Sequence, residues 1–206
     1  GDIPAALMAA GIGVSAPEIK PMAELEVVAD LSALSRALLH AADRVAWFAV
    51  LRAPWCGLRL SSLLALAELA PTLPQALDLA VVDERFDDTE RARMLRVHCV
   101  LGAARSALRE ESFAVVLEQT WLALGGPAVL DDARSLDDAR AFFRTIDVLE
   151  AEARTLTAER ISSRLVQQYS SPPVSDATAV QIMTVHRAKG LEFDYVIVPG
   201  IARTAR

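Results

Sequence analysis

From Glu24 to Gln168 the apolar residues of this 206-residue chain recur three and four apart and almost nowhere alternate. That period paints one face of an α-helix, so the segment has little choice but a packed helical module. "LEVVADLSALSRALLHA" sets Val27, Leu31, Leu34 and Leu38 in one stripe. "DRVAWFAVLRA" follows, with Asp43 as its N-cap and Pro54 as its stop. "SSLLALAELA" is expected to open on a serine cap and end before Pro71. The longest predicted helix runs from Asp88 to Arg109, with Met94, Val97, Leu101, Ala104 and Leu108 as its seam. "SFAVVLEQTWLALGG" starts at Ser112 and halts at Gly-Gly. "SLDDARAFFRTIDVLEAEAR" carries Leu136, Ala139, Phe143, Ile146 and Leu149 on one face, and Ser135 with Asp138 comes close to a capping box. "TAERISSRLVQQY" closes the module, and the Pro- and Ser-rich "SSPPVSDAT" reads as a linker.

The period changes on either side. "DIPAALMAAGI" predicts a short helix with Asp2 as cap, Pro4 in its first turn and Gly11 at its end. "IGV" then suits a short strand with no partner nearby in sequence, and "SAPEIKP" is a turn-rich connector. Beyond the linker, "AVQIMTV" and "YVIV" are β-branched runs of strand length. About ten residues separate them, too many for a tight hairpin and suited to a parallel pair joined by a helical turn. The expected fold is mainly α: a helical module over 23–173, flanked by α/β pieces at 1–22 and 174–206.

Composition narrows the function classes without choosing one. With 53% of residues apolar the chain affords a real core, and its net charge of −6 neither demands nor excludes nucleic acid. Cys56 and Cys99 form no metal or disulfide framework and are expected as reduced thiols. No basic leader precedes an apolar segment, and no window nears the ~20 apolar residues of a membrane span, so a cytoplasmic chain is expected. His40 and His98 have no partners at metal spacing, and no metal site is predicted. Trp47, Phe48, Trp121, Phe142 and Phe143 belong to the expected core. Arg91, Arg93, Arg96, Arg105 and Arg109 lie off the seam of the long helix and suggest a solvated face.

Chemistry concentrates in "MTVHRAKGLEFDYVIVPG". Thr184, His186, Arg187, Lys189 and Glu192 follow the first strand, at the carboxyl edge where open α/β sheets gather ligands. Gly190 permits a sharp reversal or a close backbone approach. Two cations and a carboxylate would suit a ligand bearing phosphate or sugar; the alternative is a solvated turn with a capped helix.

"VQIMTVHRAKGLEFDYVIVPG" resembles motif V of the UvrD/RecB-type superfamily 1 DNA helicases. Met183, Thr184, His186, Lys189, Gly190, Leu191, Glu192 and Phe193 all stand where that pattern has them. The order of a connector, some 150 helical residues and a return into motif V is similar to the helical 2B insertion within that family's RecA-like subdomain 2A, a P-loop NTPase-type fold. "VVADLSALSRALLHAADRVAWFAVLRAPWCGL" looks like the start of such an insertion. The family often continues Pro-x-x-Gly-Ile-Gly, a loop associated with duplex DNA; Pro54, Gly57 and Leu58 fit, whereas Arg59 replaces the second glycine. That departure weakens a backbone-only phosphate contact and offers a guanidinium instead; the plainer reading is a helix-ending turn with Trp55 packed below it.

Carried over residue by residue, the resemblance implies that Thr184 and His186 lie toward a single-stranded DNA track, with Gly190 and Glu192 toward the nucleotide. Arg187, Lys189, Gly57 and Arg59 are implied phosphate contacts. The parent would be an ATP- and Mg²⁺-dependent, 3′ to 5′ repair or recombination helicase of RecB- or AddA-like flavour. Its implied partners are DNA, the remaining helicase domains and a helicase–nuclease subunit. No G-x-x-x-x-G-K-[ST] loop occurs here, and "VVDERF" sits between helices as a charged turn rather than a magnesium motif. The sequence therefore reads as a fragment with no catalytic residue, no bound cofactor and no activity of its own. The rival expectation is a helical interaction module that docks a partner subunit without touching DNA.

Overall fold

A computed structural model describes residues 3–15, 21–152, 155–168, 180–183, 185, 188–190 and 192–199. These residues are mainly helical, and the chain divides into two compact units, Glu18–Ser170 and the pair Gly1–Pro17 with Ser171–Arg206.

The larger unit is the helical module. Its axis is α2 (Glu26–Leu39), which packs against α3 (Arg44–Arg52), α6 (Asp88–Ala107), α7 (Phe113–Ala123), α8 (Ala133–Glu152) and α9 (Ala158–Gln167). The predicted stripe is the reason: Val27, Leu31, Leu34 and Leu38 are all buried, as are Val28 and Ala37 beside them. The α4 (Leu60–Leu69) and α5 (Leu73–Ala80) helices continue the stack from α3 to α6. Periodicity does not single out α5, because Pro71 and Pro74 punctuate its start; Pro74 in fact occupies the first turn, where a missing N–H costs nothing.

The caps at Asp43 and Ser112 are as expected: Asp43 Oδ1 accepts from the Ala46 N–H at 3.0 Å, and Ser112 Oγ from Val115. Thr157 Oγ1 likewise accepts from the Arg160 N–H where α9 begins. Two other helix starts are not as expected. The α4 helix starts at Leu60 with Arg59 as an uncapped N-cap, which puts Ser61 and Ser62 inside it. The α8 helix starts at Ala133, and Asp132 rather than Ser135 does the capping, accepting from the Ser135 N–H at 2.7 Å. The helices thus start two and three residues earlier than a serine cap would place them, which a pattern of cap residues alone does not reveal. Glu150 of α8 adds a tertiary cap, accepting from the Phe113 and Ala114 N–H groups at 2.7 and 2.9 Å where α7 begins.

The α7 helix ends on Gly125, whose φ of 82° is left-handed, and Gly126 then opens a 3-10 turn directly against the indole of Trp121. Trp121 in turn meets Phe143 of α8, ring centroids 5.4 Å apart. The stretch Val81–Asp87 is a turn between α5 and α6, as expected for "VVDERF".

In the smaller unit, α1 (Ile3–Ala9) leads through Gly11, at φ 74°, to β1 (Val14–Ser15). The expected Asp2 cap and most of "SAPEIKP" and "SSPPVSDAT" lie outside the described residues. The β1 strand pairs in parallel with β2 (Val180–Gln181), Val14 opposite Val180 and Ser15 opposite Gln181. This corrects the predicted pairing. The run at 180–181 takes its parallel partner from "IGV", not from "YVIV". Tyr195, Val196 and Ile197 are 92%, 70% and 88% exposed and join no ladder among the described residues. Strand propensity needs a hydrogen-bonded neighbour to become a strand, and these residues meet none there.

Candidate nucleic-acid and nucleotide interface

Of the motif residues, Thr184, His186 and Arg187 fall outside the described residues. Lys189, Gly190 and Glu192 can be placed. All three are exposed, and neither Lys189 nor Glu192 has a hydrogen bond or ion pair with another described residue. Gly190 closes a turn over 188–190 with φ 86°, and a Cβ at this position would meet nothing within 4 Å. Glycine is thus required by backbone conformation and not by crowding: the turn needs the left-handed region, costing roughly 1–2 kcal/mol for any residue with a Cβ. The result is an open reversal flanked by one exposed cation and one exposed carboxylate. Met183 leads into it half-buried, and Phe193 leaves it 39% exposed.

The second group of residues, Pro54–Arg59, is a different kind of object. It is the termination of α3, and it is rigid because nearly every polar atom in it has a partner. Ala53 O accepts from the Cys56 and Gly57 N–H groups, both at 2.8 Å, and Leu51 O accepts from the Leu58 N–H at 3.1 Å. Gly57, at φ 63°, makes that reversal possible, sending Leu58 back into the core. Trp55 packs beneath and donates its indole N–H to Val50 O at 3.1 Å. The amides of Cys56, Gly57 and Leu58 are therefore spent inside the turn, which leaves the side chain of Arg59 as the phosphate-reaching element.

Arg59 is itself engaged. It pairs with Asp87, the N-cap of α6, and its Nε lies 3.4 Å from Glu90 Oε1. Hydrogen bonding to Asp87 raises the Arg59 pKa further, while the Glu90 N–H and Arg59 hold the Asp87 carboxyl below its ordinary value. Glu90 is buried, with one carboxylate oxygen lacking a hydrogen-bond partner and Arg93 Nη1 3.8 Å from the other. Burial pushes the thiol of the neighbouring Cys56 up to about 11, against the pull of Arg96.

Sequence reasoning missed what holds this loop. The arginines of α6 do not form a simple solvated face. Arg93 donates to Gly57 O at 3.0 Å, and Arg96 donates to Trp55 O and, at 3.0 Å, to Leu124 O. Arg91 donates to Asp83 O at 3.1 Å and Phe86 O at 2.7 Å, closing the turn before its own helix. A signal was present: Arg93 and Arg96 each stand one residue before a seam position, Met94 and Val97, so a long side chain there reaches over the seam's edge. The plain reading of Trp55 as a packed turn residue holds. His98 Nε2 lies 2.9 Å from Asp78 Oδ1, and no cluster of metal-ligating side chains occurs among the described residues. No helix among them is long and apolar enough to cross a membrane.

Residues 116–205 match the family described as the UvrD-like helicase C-terminal domain. A search of curated proteins finds no match. The matched span takes in α7 from Val116, α8, α9, β2 and the Gly190 turn; the Pro54–Arg59 loop precedes it. Residues 116–205 are thus similar to the C-terminal domain of the UvrD-like helicases, and the described part of that span is mainly helical.

Proposed function

We propose that the chain comes from an ATP-dependent DNA helicase of repair or recombination, RecB- or AddA-like and moving 3′ to 5′. In that enzyme the Met183–Phe193 turn couples the nucleotide to a single-stranded DNA track. The observation carrying this reading is the family match running through the turn, where Gly190 makes an open reversal between Lys189 and Glu192, neither paired with another described residue. Thr184, His186, Arg187 and Lys189 are assigned to the strand by their chemistry, as polar and cationic groups suited to a phosphate backbone. Gly190 and Glu192 face the nucleotide: the glycine permits close backbone approach, and the carboxylate is free to accept from a ribose hydroxyl or to sit near a magnesium-bound phosphate. ATP with Mg²⁺ would supply the free energy of translocation. A turn short enough to touch both ligands moves one whenever the other's cleft moves. The remaining helicase domains complete the cleft.

Arg59, with the uncapped first turn of α4 behind it, is the candidate contact to duplex DNA ahead of the fork, alongside Gly57. Two neighbouring carboxylates offset its charge, which favours a second reading: a module that binds a partner protein and leaves DNA alone. Fluorescence anisotropy with a forked duplex separates the two. DNA contact predicts binding that weakens linearly in log–log form with salt, and a shallower slope for Lys189→Ala and Arg59→Ala. No binding at 50 mM salt would overturn the DNA reading for these residues.

A further inference from the structure

The helical unit carries an open groove of about 730 Å³ between α2, α3 and α4, and its two rims differ in chemistry. One rim is apolar: Leu60 and Leu64 stand one helical turn apart on α4, 79% and 64% exposed, above Leu63 and Phe48. The other is acidic: Glu26 and Asp30, also one turn apart on α2. No hydrogen bond or ion pair from a described residue reaches either carboxylate, although ten ion pairs form elsewhere among those residues. Arg52 is the single cation of the lining, outnumbered two to one. The groove is also preformed. Arg44 donates to Ala67 O, Ala70 O and Pro71 O at 2.6–2.9 Å, tying α3 to the end of α4, and its guanidinium covers the Phe48 ring at 5.5 Å.

We propose that this groove docks an amphipathic helix of a partner protein, with leucine-like side chains over Leu60 and Leu64 and lysine or arginine over Glu26 and Asp30. Both rims repeat every four residues, ~6 Å along a helix, so a partner helix with apolar and basic residues each spaced one turn apart matches both rims together. A cation is what the acidic rim lacks. Asp30 is half-buried, and burial together with Glu26 raises its pKa above the ordinary value; an incoming ammonium or guanidinium would relieve both. The same acidic rim disfavours nucleic acid. The inference does not rest on the helicase reading.

The test uses the whole chain and a labelled, amidated 14-residue helical peptide of leucine and lysine, with a leucine–glutamate peptide as its control. The Leu/Lys peptide is expected to bind at least about tenfold tighter. Leu64→Glu should weaken it about tenfold, although the added negative charge would strengthen a merely electrostatic contact, and Glu26→Gln with Asp30→Asn should weaken it about fivefold. These positions are on the surface, so the fold is retained, which circular dichroism checks. Equal binding of the two peptides overturns the proposal, as does Leu64→Glu binding as well as the parent. So too would concentration-dependent dimerisation that Leu64→Glu abolishes, or duplex DNA displacing the peptide from the groove.

Discussion

Replacing Gly126 with alanine is the smallest change that should hurt this fold badly. Gly126 is buried at the start of the 3-10 turn after α7, and a Cβ there would stand closer than 3.0 Å to three atoms of the Trp121 indole. Ordinary contact begins near 3.4 Å, so the ring must retreat. It has nowhere to go, because Trp121 is 2% exposed and Phe143 of α8 lies against it. Overpacking of this kind costs typically ~1–3 kcal/mol, and the absence of a flexible neighbour places Gly126→Ala at about 3. Gly125→Ala, one residue earlier, is the control. There a Cβ meets nothing within 4 Å, but φ is 82°, so the penalty is backbone strain alone. That strain of roughly 1–2 kcal/mol is partly offset by about 0.4–1 from a less flexible unfolded chain. Urea and thermal denaturation followed by circular dichroism should rank the parent above Gly125→Ala, and Gly125→Ala above Gly126→Ala. For a chain of this size the Gly126→Ala melting point should fall by about 6–12 °C. If Gly126→Ala melts with the parent, or above Gly125→Ala, the close packing of turn and indole is refuted.

Two further outcomes follow from the chemistry of single groups. Partial burial pushes the Asp43 carboxyl up, but the Ala46 N–H and the Arg36 guanidinium outweigh it and hold the pKa below 3.8. A depressed folded pKa stabilises in full above the unfolded value and is lost as pH falls through the folded one. The stability difference between the parent and Asp43→Asn should therefore be constant near neutrality and shrink below pH 3.8, and a difference that grew on acidification would contradict this assignment. Cys99 is exposed on α6 whereas Cys56 is buried with its thiol near 11, so a chromogenic thiol reagent at pH 8 should titrate one cysteine fast and the other only on unfolding. Two equal rates would refute the burial of Cys56.

Much of the helical unit was legible because burial and period coincide. Leu31, Leu34 and Leu38 are spaced for one face, and that face is where the other helices pack. Asp43 was readable as a cap and Ser112 as a helix start because each stands immediately before the apolar pattern of its helix. Asp132 was not, since Ser135 three residues later offers the same chemistry and only the backbone decides between them. Of the candidate site, the order of motif residues and the need for glycine at 190 could be read directly. The state of Arg59 could not, because Asp87 and Glu90 are 28 and 31 residues away in sequence and meet it only through the packing of α6. Tyr195–Val198 misled for the converse reason: strand propensity is a statement about side chains, whereas a strand is a relation between two segments.

The Met22 N–H donates to Gln168 O at 2.8 Å, so the helical unit is tied off where its first and last described segments meet, like a purse drawn shut. A body closed at its own neck is a cassette: evolution can enlarge, swap or delete it at the cost of one bridging loop, and a graft of residues 21–168 into an unrelated surface turn should carry its fold along.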